Sequence, residues 1–206
     1  VAVVLGGALE EGKEALAADA NWGPAYNVLG LVYVELKEDA LAEQNFQRAL
    51  QINPFDSDTH HNFGGFLCQR KRTDEGIRHL MAALKNPLYQ SPDKSYASAG
   101  VCSLNLGDVK GAEDYFQKAL RIRPNQPNAL LGLADVSYRA GNTQVAKNFL
   151  TRFMQVAQSD AETLWLGVRI ERKLGDRDAE ASYSAQLRRR FPESKEAKAL
   201  AEGKFD

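Results

Sequence analysis

Apolar and small residues recur along this chain with the spacing of one helical face, and short polar turns separate the successive faces. In one stretch, Leu29 and Tyr33 fall on the same side of a helix. In the next stretch, Ala42, Phe46 and Ala49 recur at intervals of four and three residues, which places them on one face of a second helix. The pattern predicts amphipathic helices that pack in pairs, and therefore an all-α protein.

The paired-helix pattern repeats along the chain with a period of about 34 residues, the length typical of tetratricopeptide repeats. A small residue (Gly30 in the first full unit) recurs where the second helix must cross closely. We divide the chain into a leading half-repeat helix, five full units and a C-terminal cap, at residues 1–22, 23–56, 57–92, 93–126, 127–159, 160–193 and 194–206. The expected fold is a single domain, a right-handed tetratricopeptide-repeat superhelix of antiparallel helix pairs.

Turns and ends of the units carry their own signals. Pro54 and Pro124 end their helices, because proline lacks an amide hydrogen and disfavours helix in the residue before it. The second unit is longer, and two prolines within residues 86–92 predict a protruding loop that carries Tyr89. We expect residues 194–206 to form a short, polar, fraying helix.

Stacked helix pairs form a concave groove lined by the first helix of each pair, and we expect this groove to bind a protein. Its lining mixes aliphatic, amide and charged side chains, which suits an extended peptide or a helix. The positions that we assign to it are Asn27, Leu31, Glu35, His61, Gly65, Gln69, Val101, Asn105, Leu131, Asp135 and Tyr138, followed in the last unit by Leu164, Val168 and Arg172.

The charge of the chain is unevenly distributed. The formal net charge is −1, but residues 1–60 contain three basic and ten acidic side chains, whereas residues 61–206 contain 23 basic and 17 acidic ones. This dipole can orient a partner but is far from the basic stripe that nucleic acid requires, so no nucleic-acid partner is expected. No apolar run long enough to span a membrane occurs in the sequence. The chain begins at Val1 without a methionine, which is compatible with a mature fragment that has lost a targeting segment.

Catalytic and metal-binding patterns are weak. His60 and His61 are adjacent and point in different directions on a helix, so they cannot chelate one ion together. His61 and Cys68 share a face but lie about 10 Å apart along it, too far for a thiolate–imidazole pair. No phosphate-binding glycine loop is present. We expect no enzymatic activity, no catalytic residues, no metal and no cofactor.

Two cysteines, Cys68 and Cys102, lie near the ends of the first helices of neighbouring units. A disulfide between adjacent repeats is geometrically reachable if their Cα atoms come within about 7 Å. The alternative is a pair of buried free thiols. A disulfide would indicate an oxidising compartment.

Several short motifs go beyond the repeat consensus, and with them the chain from about residue 15 resembles the type IV pilus biogenesis lipoproteins of the PilF/PilW type. The stretches that carry this resemblance are residues 62–69 (NFGGFLCQ), 86–89 (NPLY), 99–102 (AGVC), 164–170 (LWLGVRI), 175–178 (GDRD), 181–183 (ASY) and 191–192 (FP).

The resemblance implies a non-catalytic pilotin in the periplasm that helps an outer-membrane secretin assemble or localise. It also implies a Cys68–Cys102 disulfide and a lipid anchor on an N-terminal cysteine of the precursor, which is the only membrane attachment expected. The alternative is a cytosolic adaptor or co-chaperone that binds a peptide segment. Adaptors that capture a chain terminus use Lys or Arg with Asn, and the first half of the expected groove offers Asn27 and Asn105 without a cation.

Overall fold

The computed structural model describes residues 2–205, with side chains from residue 5 onward. Within this range the chain forms twelve α-helices and no β-strand, which confirms the predicted all-α class. The helices group into two compact units, residues 1–108 and 109–206, and each unit is described by itself.

The first unit contains six helices. A leading helix is followed by two complete helix pairs and by the first helix of the third repeat. Their bounds are α1 Ala2–Ala18, α2 Gly23–Glu35, α3 Asp39–Ile52, α4 Ser57–Gln69, α5 Thr73–Ala83 and α6 Pro92–Asn105.

The second unit also contains six helices. It begins with the second helix of the third repeat, continues with two complete pairs and ends with a short helix. The bounds are α7 Val109–Ile122, α8 Pro127–Arg139, α9 Thr143–Val156, α10 Ala161–Leu174, α11 Arg177–Arg190 and α12 Lys195–Ala201.

Local sequence explains where the helices begin and end. The Asp56 and Asp160 carboxylates accept hydrogen bonds from the backbone N–H groups three residues later, and so cap α4 and α10. As predicted, α3 and α7 end two residues before Pro54 and Pro124.

Close glycine contacts let the two helices of a pair approach each other. A Cβ atom added at Gly30 would lie 2.6 Å from the Phe46 ring, which is itself fully buried. At Gly167, a Cβ atom would lie 3.0 Å from the Tyr183 ring. The predicted small positions therefore act as predicted: they remove the side chain that would separate α2 from α3 and α10 from α11.

Two local predictions hold only in part: a loop precedes α6 and a short helix ends the unit, as expected, but their side chains are placed differently. Tyr89 does not protrude from the loop before α6, because its ring is half-buried and its hydroxyl accepts a 3.3 Å hydrogen bond from Ser95 Oγ. Leu88 protrudes instead, with 78% of its surface exposed. The C-terminal helix α12 is also not a fraying polar segment, because it buries Ala197 and Leu200 against α10 and α11.

Candidate protein-binding face

The first helices of the first unit present an open apolar row, made of one residue from each of α2, α4 and α6. Leu31 and Val101 are 41% and 42% exposed. Gly65 lies at the equivalent position on α4, and a Cβ atom built there meets no atom within 4 Å. The row is therefore accessible, and its middle has no side chain. We call Leu31, Gly65 and Val101 the apolar row.

Polar side chains border the apolar row one helical turn toward the N-terminus of each helix. Asn62 Nδ2 donates a 3.0 Å hydrogen bond to Asn27 Oδ1 and so joins α4 to α2. His61 Nδ1 lies 3.0 Å from Ser95 Oγ on α6, and Ser95 in turn donates to Tyr89. Since the Ser95 hydroxyl proton is used on Tyr89, His61 Nδ1–H is the donor in the first of these bonds. These contacts fix the three helices in one register.

The surroundings of His61 favour the neutral form of its imidazole. Burial lowers the pKa of His61 from its ordinary value, and the positive charge of Lys94 lowers it further, against the opposing effect of Asp58 and Asp93. A neutral His61 is the form that donates one proton to Ser95 without placing a buried charge beside the apolar row.

The opposite border of the row is polar and exposed. Glu35, Gln69 and Asn105 lie one turn toward the C-terminus of α2, α4 and α6. Arg70 Nη1 donates a 3.5 Å hydrogen bond to Gln69 Oε1, and the border offers one carboxylate and two amides to a ligand. Of the predicted groove positions, the eight in the first unit thus fall on one face in three parallel rows.

The three predicted groove positions on α8 in the second unit are half-buried. Leu131 and Tyr138 pack against the core cluster that contains Leu130 and Phe153. Asp135 accepts a 2.8 Å salt bridge from Arg139, one turn further along the helix.

The assignment in the last repeat is wrong by one residue. Leu164 and Val168 are fully buried in the core that α10 forms with α11 and α12, so neither can line an open face. Spacing by 34 residues from Leu131 and Asp135 leads to Trp165 and Arg169, which are partly exposed. Arg172 is exposed, but its guanidinium binds Glu180 at 2.8 Å and lies over the Phe205 ring at 3.8 Å.

The two cysteines lie close enough for the disulfide between adjacent repeats that their sequence positions made possible. Cys68 on α4 and Cys102 on α6 have their Cα atoms 5.6 Å apart, which is disulfide distance. Both side chains are buried. Cys102 follows Val101 of the apolar row in the sequence, and Cys68 lies three residues after Gly65.

A histidine pair was not predicted. His60 Nδ1 on α4 lies 2.9 Å from His79 Nδ1 on α5, and His60 Nε2 lies 3.0 Å from the Pro54 carbonyl oxygen. Burial lowers the pKa of His79, and electrostatic repulsion from His60 and Arg78 lowers it further. The helix-pair register could have indicated this contact, because His60 and His79 occupy packing positions on facing helices.

Residues 2–205 contain neither a metal-binding cluster nor a membrane-spanning helix. This part of the chain contains no group of three or more His, Cys, Asp or Glu side chains that could hold a metal ion. Every described helix is too short or too polar to cross a membrane.

Comparison with known proteins identifies the repeat type. Residues 9–159 match the family described as tetratricopeptide repeat. The type IV pilus assembly protein PilF of Pseudomonas aeruginosa is 32% identical over 184 residues, which is 89% of this chain and 73% of that protein. Superkiller protein 3 of Schizosaccharomyces pombe is 25% identical, but the match covers 13% of its length.

Solved structures agree with this result. The structure of Pseudomonas aeruginosa PilF matches with a TM-score of 0.84 and 31% identity, covering 93% of this chain and 86% of PilF. PilW, described as a widely conserved type IV pilus biogenesis factor, matches with a TM-score of 0.81 and 31% identity over 92% of this chain and 87% of its own. The Cut9–Hcn1 assembly matches with a TM-score of 0.80 at 17% identity and shares the fold alone. The chain therefore belongs to the tetratricopeptide-repeat family and, within it, to the group that contains PilF and PilW.

Proposed function

We propose that this protein is a non-enzymatic scaffold of type IV pilus biogenesis that binds the pilus secretin and assists its assembly or localisation at the outer membrane. The observation that carries the proposal is the similarity to PilF at 32% identity over 89% of the chain. Tetratricopeptide repeats generally bind other proteins and lack catalytic activity, and that supports a binding role for this chain.

The apolar row on the first unit is the proposed secretin contact. Leu31 and Val101 offer aliphatic surface on either side of Gly65, where the missing side chain leaves room for a residue of the partner. Asn27 and His61 border one side, and Glu35, Gln69 and Asn105 border the other with hydrogen-bonding groups. An apolar strip with amide borders suits a helix or an extended segment that buries one face and satisfies its polar groups at the edges.

The proposed location is the periplasmic face of the outer membrane, with a lipid anchor on the precursor. Cys68 and Cys102 lie at disulfide distance, and a bond between them requires an oxidising compartment. Thiol counting on denatured, unreduced protein from its native compartment tests this location. Zero free thiols supports the periplasm, whereas two free thiols would favour the alternative of a cytosolic peptide-binding adaptor.

Substitution of Gly65 by Arg tests the binding face. The new side chain extends into the open space above α4 and should abolish measurable secretin binding, because it fills the middle of the apolar row without entering the core. Binding between the purified proteins is measured by biolayer interferometry, and helicity by circular dichroism.

Gly65→Ala is the matched control for this experiment. Alanine has a higher helix propensity than glycine, so this change should stabilise the fold by about 1 kcal/mol. Its small methyl group should change the dissociation constant for the secretin by no more than about twofold. Equal binding by Gly65→Arg and the native chain would reject the apolar row as the secretin contact.

A further inference from the structure

The second unit carries a cluster of aromatic and cationic side chains on α8 and α10. The Arg169 guanidinium carbon lies 5.1 Å from the centre of the Tyr138 ring and 5.9 Å from the Trp165 ring. The Lys173 ammonium also lies 5.1 Å from the Tyr138 ring. Trp165 is held in place by stacking on Phe205 at 5.5 Å. Two cations thus share one aromatic ring.

Neither cation of this cluster is neutralised within the described residues. Two nearby cations in the sequence have carboxylate partners: Arg139 binds Asp135, and Arg172 binds Glu180. By contrast, no salt bridge joins Arg169 or Lys173 to a described carboxylate, and the buried Arg169 Nε has no hydrogen-bond partner there. Like charges four residues apart on a helix repel each other, so the pair destabilises the free protein.

These properties define the ligand. A guanidinium held against aromatic rings presents its N–H groups in a fixed fork that matches a carboxylate, and the ammonium one turn away adds a second donor. A carboxylate bound between the Arg169 guanidinium and the Lys173 ammonium would offset the repulsion between the two cations. The unit as a whole has 17 basic and 13 acidic side chains over residues 109–206, which also attracts an anionic partner.

We propose that Arg169 and Lys173, positioned by Tyr138 and Trp165, bind the side-chain carboxylates of an acidic segment in a protein partner. Two cations are too few for a nucleic-acid backbone, which needs a row of phosphate contacts. The ligand is therefore a short acidic stretch of polypeptide. The site goes beyond the secretin contact proposed above, because it lies on another unit and recognises charge in place of apolar surface.

A capped peptide tests this site without any other protein. The probe is an acetylated and amidated twelve-residue peptide with Glu at every fourth position, and its matched control has Gln at those positions. Titration into ¹⁵N-labelled protein, observed by NMR, should shift the Trp165 indole N–H signal in a saturable way with the Glu peptide only. Binding should weaken as salt is raised, since the contact is between charges.

Two variants give the test its specificity. Lys173→Gln removes an exposed charge and should weaken Glu-peptide binding about tenfold, the loss expected for one charge-assisted hydrogen bond. Arg188→Gln makes the same change of charge at an exposed position on α11, away from the cluster. It should raise the dissociation constant of the Glu peptide by less than about twofold. Equal loss in both variants, or equal binding of the Glu and Gln peptides, would overturn the proposal.

The source of the carboxylate is tested with a third peptide. It has Gln in place of Glu and a free C-terminal carboxylate. Binding by this peptide but not by the capped Glu peptide would overturn the assignment to an acidic segment and indicate recognition of a chain terminus. Secretin binding through the apolar row is measured separately, so failure of one proposal leaves the other open to its own test.

Discussion

Lys37 and Lys71 adopt a backbone conformation that the later repeats reserve for glycine. Both lysines have φ of 62°, and the equivalent turn residues Gly107, Gly141 and Gly175 have φ of 78°, 81° and 77°. This left-handed region brings the Cβ atom of an L residue close to the following carbonyl oxygen. The first two turns are therefore strained at a single residue each.

Replacement of either lysine by glycine should stabilise the protein. Both side chains are exposed, so little packing is lost, and relief of the left-handed strain should raise the free energy of unfolding by about 1 kcal/mol at each site. Urea unfolding of Lys37→Gly and Lys71→Gly measures the gain. The reverse change, Gly107→Lys, should destabilise by a similar amount, and a gain in that variant would contradict the explanation.

The facing Nδ1 atoms of His60 and His79 have room for one proton between them but not for two. His60 Nε2–H donates to the Pro54 carbonyl, so in the neutral ring its Nδ1 is the acceptor and His79 Nδ1–H is the donor. Protonation of both rings would place two N–H groups against each other at 2.9 Å. The contact between α4 and α5 thus depends on at least one imidazole staying neutral.

The stability of the protein should fall as the pH drops below about 6.5, the ordinary histidine value. The pKa values of His61 and His79 are lowered in the folded state, mainly by burial. The unfolded chain therefore takes up protons first, and the stability present above that pH is lost as the pH falls through the folded-state values.

A double variant isolates this effect. Urea unfolding at pH 7.5 and pH 5 measures the loss, and His61→Asn combined with His79→Asn should make it smaller. An unchanged difference between the two pH values in the double variant would show that other groups cause the loss.

At the scale of the helices, the cysteine pair joins α4 to α6 across the intervening helix α5. A bond between residues 34 apart in the sequence restricts the unfolded chain and should stabilise the fold by about 3 to 4 kcal/mol. The joined helices both carry the apolar row, so the same bond would hold Gly65 and Val101 in register.

Removal of both sulfurs measures this contribution. The double variant Cys68→Ala, Cys102→Ala should lose about 3 kcal/mol of unfolding free energy relative to the oxidised native chain. Reductant should destabilise the native chain and leave the variant unchanged. If reductant lowers the unfolding free energy of the native chain no more than that of the variant, the bond is not formed.

Most helices and turns could be predicted from the sequence because each repeat restates the same local rules. A small residue faces a large ring in more than one helix pair, as Gly30 faces Phe46, and Pro54 and Pro124 each follow the end of a helix. The last repeat is ambiguous in the sequence because the neighbouring residues Leu164 and Trp165 are both apolar, and either could face the core. Strict spacing by 34 residues from Leu130, which is fully buried, would have assigned Leu164 to the core and Trp165 to the face.

At the scale of the whole molecule, what the sequence could not predict depends on contacts between distant residues. The position of Tyr89 depends on Ser95, and the cluster around Arg169 depends on Tyr138 from another helix. No local pattern encodes such a contact, so the proline-rich loop could be predicted but the burial of Tyr89 could not. The predicted single domain and its groove across all repeats stay predictions.

The Cys68–Cys102 pair also sets how this protein would respond to force, as when a partner or a growing assembly pulls on it. The bond would enclose one whole repeat length of 34 residues, and a pull on the two ends of the chain would bypass that segment. In a single-molecule stretching record, the oxidised chain would be about 110 Å shorter at full extension than the reduced chain. The helix α5 with His79 would lie inside the bypassed loop, free of tension, whereas its contact partner His60 precedes Cys68 and would be drawn out with the rest of the chain.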